Sequence, residues 1–316
     1  MDLVDKVRKF LKKINISGRI AAEEPMSRHT TFEVGGPADI YAEPADFREA
    51  AHLLREASRM GLPVFVLGGG ANILVSDRGI RGLVMSTVRM AEVRAEGEVL
   101  TAGAGAPVSA VAEAAAEAGL GGLDFIYAMP GSVGGALWMN ARCYDSSIAD
   151  VLESVRYLDG ALEPRRAGAE DPDFMAGFDY KKSPFQRGDM VILEASFRLR
   201  RTDPETLWKR MREIREDRTA KGHFLAPSAG SVFKNNRDFG APSGVIIDRL
   251  GLRGLSVGPA RVSPLHANII LNTGGATARD IRSLIHAVQD RVFAARGFRL
   301  EPETLFVGDW DGEEFL

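Results

Sequence analysis

One cysteine, Cys143, stands in a chain of 316 residues, so no disulfide can close within it and no cysteine-rich metal site can form. A surplus of positive charge is also missing. Lys and Arg number 40 against 43 Asp and Glu, a formal charge of −3, which excludes bulk attraction to nucleic acid or to an anionic membrane. No apolar run has the length of a membrane span. The opening, Met1 to Lys13, interleaves Asp2, Asp5 and five basic residues with Leu3, Val4, Val7, Phe10 and Leu11, an amphipathic helix rather than the unbroken apolar core of a signal peptide. Internal repeats and low-complexity stretches are absent. The resulting expectation is a cytoplasmic protein, a monomer, with no membrane or nucleic-acid partner and no metal.

What is present is ordinary globular material. Hydrophobic residues make up 45% and charged residues 26%, and the length exceeds what one core usually organises, so two or three domains are expected. A short strand near Asp39 to Ala42, a helix from about Phe47 to Met60 ended by Gly61, and the apolar run Val64 to Leu67 read as an α/β unit, the last as a buried parallel strand. A strand over Leu100 to Ala104 precedes an alanine-rich helix opened by Pro107 and stopped at Gly119. Leu152 to Leu199 reads as mostly β. Leu207, Met211 and Ile214 recur at helical spacing within a basic helix that opens a third domain. A later helix, Ala278 to Arg296, carries Ile281, Leu284, Ile285, Val288 and Val292 on one face, with Thr277 as N-cap and Gly297 just past its end.

Three glycine-rich segments fall within the α/β region: Gly68-Gly69-Gly70-Ala71-Asn72, Ala102-Gly103-Ala104-Gly105, and Gly131-Ser132-Val133-Gly134-Gly135. A residue without Cβ lets backbone N–H groups approach phosphate oxygens, and successive amides form an anion nest. A tight turn is the competing reading of any one of these segments. Three together point to a dinucleotide cofactor. The apolar Ile73-Leu74-Val75 after the first segment predicts extended chain instead of the helix that a Rossmann site requires.

The ordered motifs carry a more specific resemblance. Pro25-Met26-Ser27-Arg28-His29-Thr30-Thr31-Phe32, Val34-Gly35-Gly36-Pro37-Ala38-Asp39, Leu67 to Asp77, Met129 to Asn140, Ala229-Gly230-Ser231-Val232-Phe233-Lys234-Asn235, His266-Ala267-Asn268 and Leu300-Glu301-Pro302-Glu303 resemble, in order, the blocks of the UDP-N-acetylenolpyruvoylglucosamine reductases, the MurB family of cell-wall biosynthesis. The likeness runs from about Pro25 to Gly308 and is similar to the shorter class, without a tyrosine-bearing insertion. It implies a multidomain α+β and α/β fold: an FAD-binding fold of the vanillyl-alcohol-oxidase (PCMH) type plus a C-terminal α+β substrate domain. The expected division is 1–87 and 88–202 for the two FAD-binding subdomains, with the tail 300–316 packing near the first, and 203–299 for the substrate domain.

The resemblance also implies non-covalent FAD, NADPH as co-substrate, and reduction of UDP-N-acetylglucosamine enolpyruvate to UDP-N-acetylmuramate. FAD contacts fall at Gly68, Gly69, Gly70, Ala71 and Asn72, and at Gly131, Ser132, Gly134, Gly135 and Asn140. Ser231 matches the proton donor, with nearby Lys234 or another cation needed to stabilise the alkoxide. Glu303 matches the catalytic glutamate. Lys181, in Tyr180-Lys181-Lys182-Ser183, stands where the family has arginine; it keeps the charge but lacks the two-pronged grip on a carboxylate. Leu305 replaces a second arginine. Tyr180, Arg218, Lys221 and Asn235 match substrate-binding positions. Read without the resemblance, Ser231 is a turn serine, Glu303 a surface acid and the basic helix a solvated face. Two alternatives therefore stay open: a flavin oxidoreductase of the same fold with a drifted substrate, and a flavin or nucleotide-sugar binding module without turnover. His29 and His266 read as structural, and Cys143 as a small hydrophobe.

Overall fold

A computed structural model describes residues 2–310; the part of the expected C-terminal tail at 311–316 lies outside the described residues. The chain divides into two compact units, each drawn from three stretches of sequence. The first comprises residues 1–22, 40–69 and 82–215, the second residues 23–39, 70–81 and 216–316.

Two sheets dominate the first unit, beside two short two-stranded ones. In the smaller, the four strands Arg19–Pro25, Pro37–Glu43, Ile80–Ser86 and Val64–Leu67 lie side by side in that order. Val64–Leu67 runs parallel to Ile80–Ser86, as the α/β pattern predicts. It is an edge strand, however, and only Leu67 is buried in it, so the expectation of a strand buried on both faces is corrected: an edge has a neighbour on one side only. The preceding helix Phe47–Met60 is capped by Asp46, whose carboxylate accepts from the amides of Arg48 and Glu49, and ends at Gly61 with φ 62°, the left-handed cap that glycine adopts without strain. Its Ala50, Leu53, Leu54 and Ala57 pack with Phe10, Ile40, Leu83 and Met85.

The larger sheet is antiparallel, ordered Pro164–Gly168, Leu152–Leu158, Val191–Arg198, Val99–Gly103, Val93–Glu96. Alternation along it sends Leu100, Ala102, Val155, Ala195 and Phe197 into a core shared with the helices Val108–Glu117 and Val133–Trp138. The helix Pro204–Ala220 adds Leu207 and Met211 to that core.

The second unit is built around the helix Ala278–Arg296. Thr277 and Asp280 form a reciprocal capping box, Gly297 follows with φ 79°, and the periodic face Ile281, Leu284, Ile285, Val288 and Val292 is buried. Asp77 adds a second anchor by accepting from the amides of Ala278 and Arg279 at 2.8 and 3.0 Å. That core includes a three-stranded antiparallel sheet, Ser256–Val257, Ala260–Val262 and Ile270–Asn272. Ile73–Val75, extended as expected, pairs in parallel with Leu305–Val307.

Candidate functional site

The glycine-rich segments of the first unit lie against one another. A Cβ on Gly68 would come within 2.5 Å of the Ser132 hydroxyl, and one on Gly69 within 2.6 Å of the Gly131 Cα. A Cβ on Gly134 would press on Ala104 at 3.1 Å, and one on Gly105 would strike the Thr87 carbonyl. These glycines are therefore required by close backbone approach as well as by any ligand. Among the described residues, the amides of Gly69, Gly131 and Ser132 donate to no acceptor. Val133 and Gly134, in contrast, donate to the Ala106 and Ala104 carbonyls at 2.9 and 2.8 Å. A side-chain-free cradle with undonated amides fits a pyrophosphate. Ser132 is buried and caps the short helix Val133–Trp138, accepting from the Gly135 amide at 3.4 Å.

Asn140 closes that stretch in a left-handed conformation, φ 43°, which asparagine tolerates better than most residues. Its side chain is engaged inside the protein: Nδ2 donates to the Asp179 carbonyl at 2.9 Å, and Oδ1 faces the Ala149 amide at 3.4 Å. Its side chain thereby holds the turn at Asp179 against this stretch. Asp179 and Lys182 exchange backbone hydrogen bonds of 3.2 and 3.0 Å around Tyr180 and Lys181, and Lys181 takes φ 57° at the turn. Ser183 Oγ and Gln186 Nε2 both donate to the Trp138 carbonyl, at 2.8 and 2.7 Å, and Gln186 also reaches the Lys181 carbonyl. The Lys181 turn is thus tied to the helix that follows the glycine loop. Tyr180 is exposed, with the Lys181 ammonium 5.9 Å from its ring centre.

In the second unit Gly70, φ 61°, leaves no room for a Cβ against the His29 carbonyl, and its own carbonyl accepts from Thr31 at 3.0 Å. Ala71 follows it into the strand of Ile73. Asn72 spans to the far end of the chain: its Nδ2 donates to the Glu303 carbonyl at 3.1 Å, and its carbonyl accepts from Leu305 at 3.0 Å. Glu303 in turn donates its amide to the Val232 carbonyl at 2.7 Å. Ser231 and Glu303 are therefore brought together by backbone pairing, and Asn268 completes the arrangement. Its carbonyl accepts from Val232 at 2.8 Å, while its side chain exchanges two 2.9 Å bonds with Phe233.

Lys234, one of the cations considered for Ser231, has a carboxylate partner of its own. Its ammonium is paired with Glu301 at 2.5 Å, because the backbone pairing of Lys234 with Glu301 sets the two side chains adjacent. Asn235 accepts from the Ser243 amide at 2.9 Å, at the start of the helix Ser243–Arg249. Leu305 is exposed.

A basic cluster surrounds the end of the helix Pro204–Ala220. Arg218 is buried, 7% exposed, and its Nη2 lies 3.4 Å from His223 Nδ1. Lys221 pairs with Asp217 at 2.7 Å. The His223 and His266 rings lie 5.8 Å apart. Burial first, then the charges of Arg218, His266 and Lys221, push His223 down to about 4; burial, with Lys221 and Arg253 behind it, lowers His266. Both shifts favour the neutral imidazole beside the cations. No motif marks His223, and only folding brings it against Arg218. His29, in the first motif, pairs with the buried Glu24 at 2.9 Å.

Residues 38–162 match a family described as "FAD binding domain", which defines the chain as a flavoprotein of that class. Residues 222–307 match "UDP-N-acetylenolpyruvoylglucosamine reductase, C-terminal domain". Curated UDP-N-acetylenolpyruvoylglucosamine reductases are similar along nearly their whole length. That of Pelobacter propionicus is 43% identical, covering 95% of this chain and 99% of that protein; that of Treponema denticola is 41% identical, covering 93% and 95%. The solved structure of the reductase (MurB) from Thermus caldophilus superposes with a TM-score of 0.77 at 30% identity, covering 93% of this chain and 100% of that one. The chain belongs to the UDP-N-acetylenolpyruvoylglucosamine reductase family. Its fold is the expected one, an FAD-binding fold joined to the family's C-terminal α+β domain.

Proposed function

We propose that this chain reduces UDP-N-acetylglucosamine enolpyruvate to UDP-N-acetylmuramate, with non-covalent FAD as cofactor and NADPH as co-substrate, in the cytoplasmic supply of peptidoglycan precursors. The observation that carries the reading is the 2.7 Å bond from the Glu303 amide to the Val232 carbonyl, which holds Ser231 and Glu303 in neighbouring segments. Bound FAD supplies hydride chemistry, and the Gly69, Gly131 and Ser132 amides are the groups that would hold its pyrophosphate.

Saturating the alkene also requires a proton at the carbon that does not receive hydride. A hydroxyl is a weak acid, so Ser231 acts by donating to a carbon that becomes strongly basic only as charge develops there. Glu303 in its protonated form can donate a hydrogen bond to the enolate oxygen; in its charged form it would repel the substrate carboxylate. Lys181 offers that carboxylate a single cationic prong. Arg218, Lys221, Asn235 and Tyr180 are assigned to substrate binding, the cations to its diphosphate. Residues 1–87 and 88–202 are assigned to binding FAD and 203–299 to binding substrate.

The test is spectroscopic. Purified protein should carry oxidised flavin, bleach under NADPH without oxygen, and recover its absorbance on addition of UDP-N-acetylglucosamine enolpyruvate. A protein unable to take up FAD would overturn the proposal, and flavin that NADPH bleaches but the substrate never reoxidises would reject the substrate.

A further inference from the structure

The five-stranded sheet of the first unit buries one face under the helices Val108–Glu117 and Val133–Trp138. On its other face a groove of about 270 Å³ crosses the strands, lined by Arg94, Ser154, Arg156, Arg166, Glu194 and Ser196. Register dictates this lining. Arg156 stands directly opposite Arg166 on one neighbouring strand and opposite Glu194 on the other, and Ser154 stands opposite Ser196.

Like charges facing each other on adjacent strands repel, and the groove holds one carboxylate for three guanidiniums. Glu194 is shared between Arg94 at 2.9 Å and Arg156 at 3.5 Å. Arg94 is kept firmly charged, first by its hydrogen bond to Glu194 and further by Glu92 and Glu96. Arg198, on the same strand as Glu194, is matched by Glu153. Arg166 donates to Ser154 Oγ at 3.0 Å and, among the described residues, meets no carboxylate. Arg156 is also braced against the Phe47 ring, 5.2 Å from its centre. The surplus charge is therefore localised on the Arg156 and Arg166 pair.

We propose that this groove binds a compact polyvalent oxyanion of the diphosphate class, gripped by the guanidiniums of Arg156 and Arg166, with the Ser154 and Ser196 hydroxyls as neutral partners. Two adjacent planar forks match oxygens spread over two phosphorus centres, and each fork can make paired charge-assisted hydrogen bonds. An extended polyanion is disfavoured by Glu194, Glu92 and Glu96 along one side and by the chain's net negative charge. The glycine cradle belongs to loops packed on the buried face, so this anion does not share the flavin site.

FAD-loaded protein titrated with inorganic pyrophosphate in a calorimeter, at constant ionic strength, tests the proposal. A saturable isotherm is expected that Arg166→Gln weakens at least tenfold and that Glu194→Gln, which removes the competing carboxylate, tightens. Flavin absorbance reports whether each variant is folded; should Arg166→Gln lose it, Arg166→Lys keeps the charge without the fork and should bind several-fold more weakly than wild type. No saturable binding to wild type, or binding indifferent to both the Arg166 and Glu194 substitutions, overturns the proposal.

Discussion

Ser231 sits half-buried next to Val232, whose carbonyl receives the Glu303 amide and whose own amide is given to Asn268. With the segment fixed on both sides, removing the hydroxyl alone should leave the backbone undisturbed. Ser231→Ala is expected to slow substrate-dependent flavin reoxidation by at least a hundredfold, the scale of general-acid catalysis, while reduction by NADPH stays within about twofold. Stopped-flow traces of the two half-reactions check this, and equal loss of both would reject the proton-donor role. His223 makes a separate prediction. Its folded pKa of about 4 lies below the free value of 6.5, so the unfolded chain binds the proton more readily. Its contribution to stability is present above pH 6.5 and is lost as pH falls towards 4. Urea midpoints should drop across that window, and His223→Gln should flatten part of the drop. Motif position and residue chemistry mark Ser231 and Glu303 in the sequence. They cannot reveal that Asn140 spends its amide on Asp179, that Lys234 is taken by Glu301, or that His223 leans on Arg218, because each partner comes from a fold-dependent approach.

At the level of elements, local rules were strongest where one helix face or one cap carries the information. The helix Ala278–Arg296, its Thr277 cap and its Gly297 terminator all follow from spacing and capping chemistry. The half-exposed edge strand Val64–Leu67 was less legible, since apolar composition does not say how many neighbours a strand will have. The glycine-rich loops stand between these cases. Their composition marks close approach, but a turn, a ligand and a second loop are equally good reasons for it. The structure supplies a second loop: Gly69 packs on Gly131. Gly69→Ala should force those backbones apart, at the ~1–3 kcal/mol typical of overpacking, and the protein should purify with flavin content reduced several-fold. The ratio of absorbance at the flavin maximum to that of protein measures this. A fully loaded variant would show that the loops can separate without loss of the cradle.

For the whole molecule, a cofactor that binds the folded state alone shifts the unfolding equilibrium by mass action. FAD at a hundredfold excess over its Kd should stabilise the protein by about 2.7 kcal/mol. Stripping the flavin should therefore lower the melting temperature, and adding FAD back should restore it in a concentration-dependent way; a melting temperature indifferent to FAD would contradict binding to the folded state. Composition, charge and periodicity by themselves determined that this chain has large cores, where its long helices lie and which loops must be free of side chains, because those properties depend on residues close in sequence. Tertiary structure alone decided that each compact unit is assembled from three separate stretches, that residues around 72, 232, 268 and 303 converge on one segment, and that Arg156 faces Arg166 across a sheet. Pairing between distant strands is set by the total burial and hydrogen bonding that only one register satisfies, and no local stretch of sequence carries that sum.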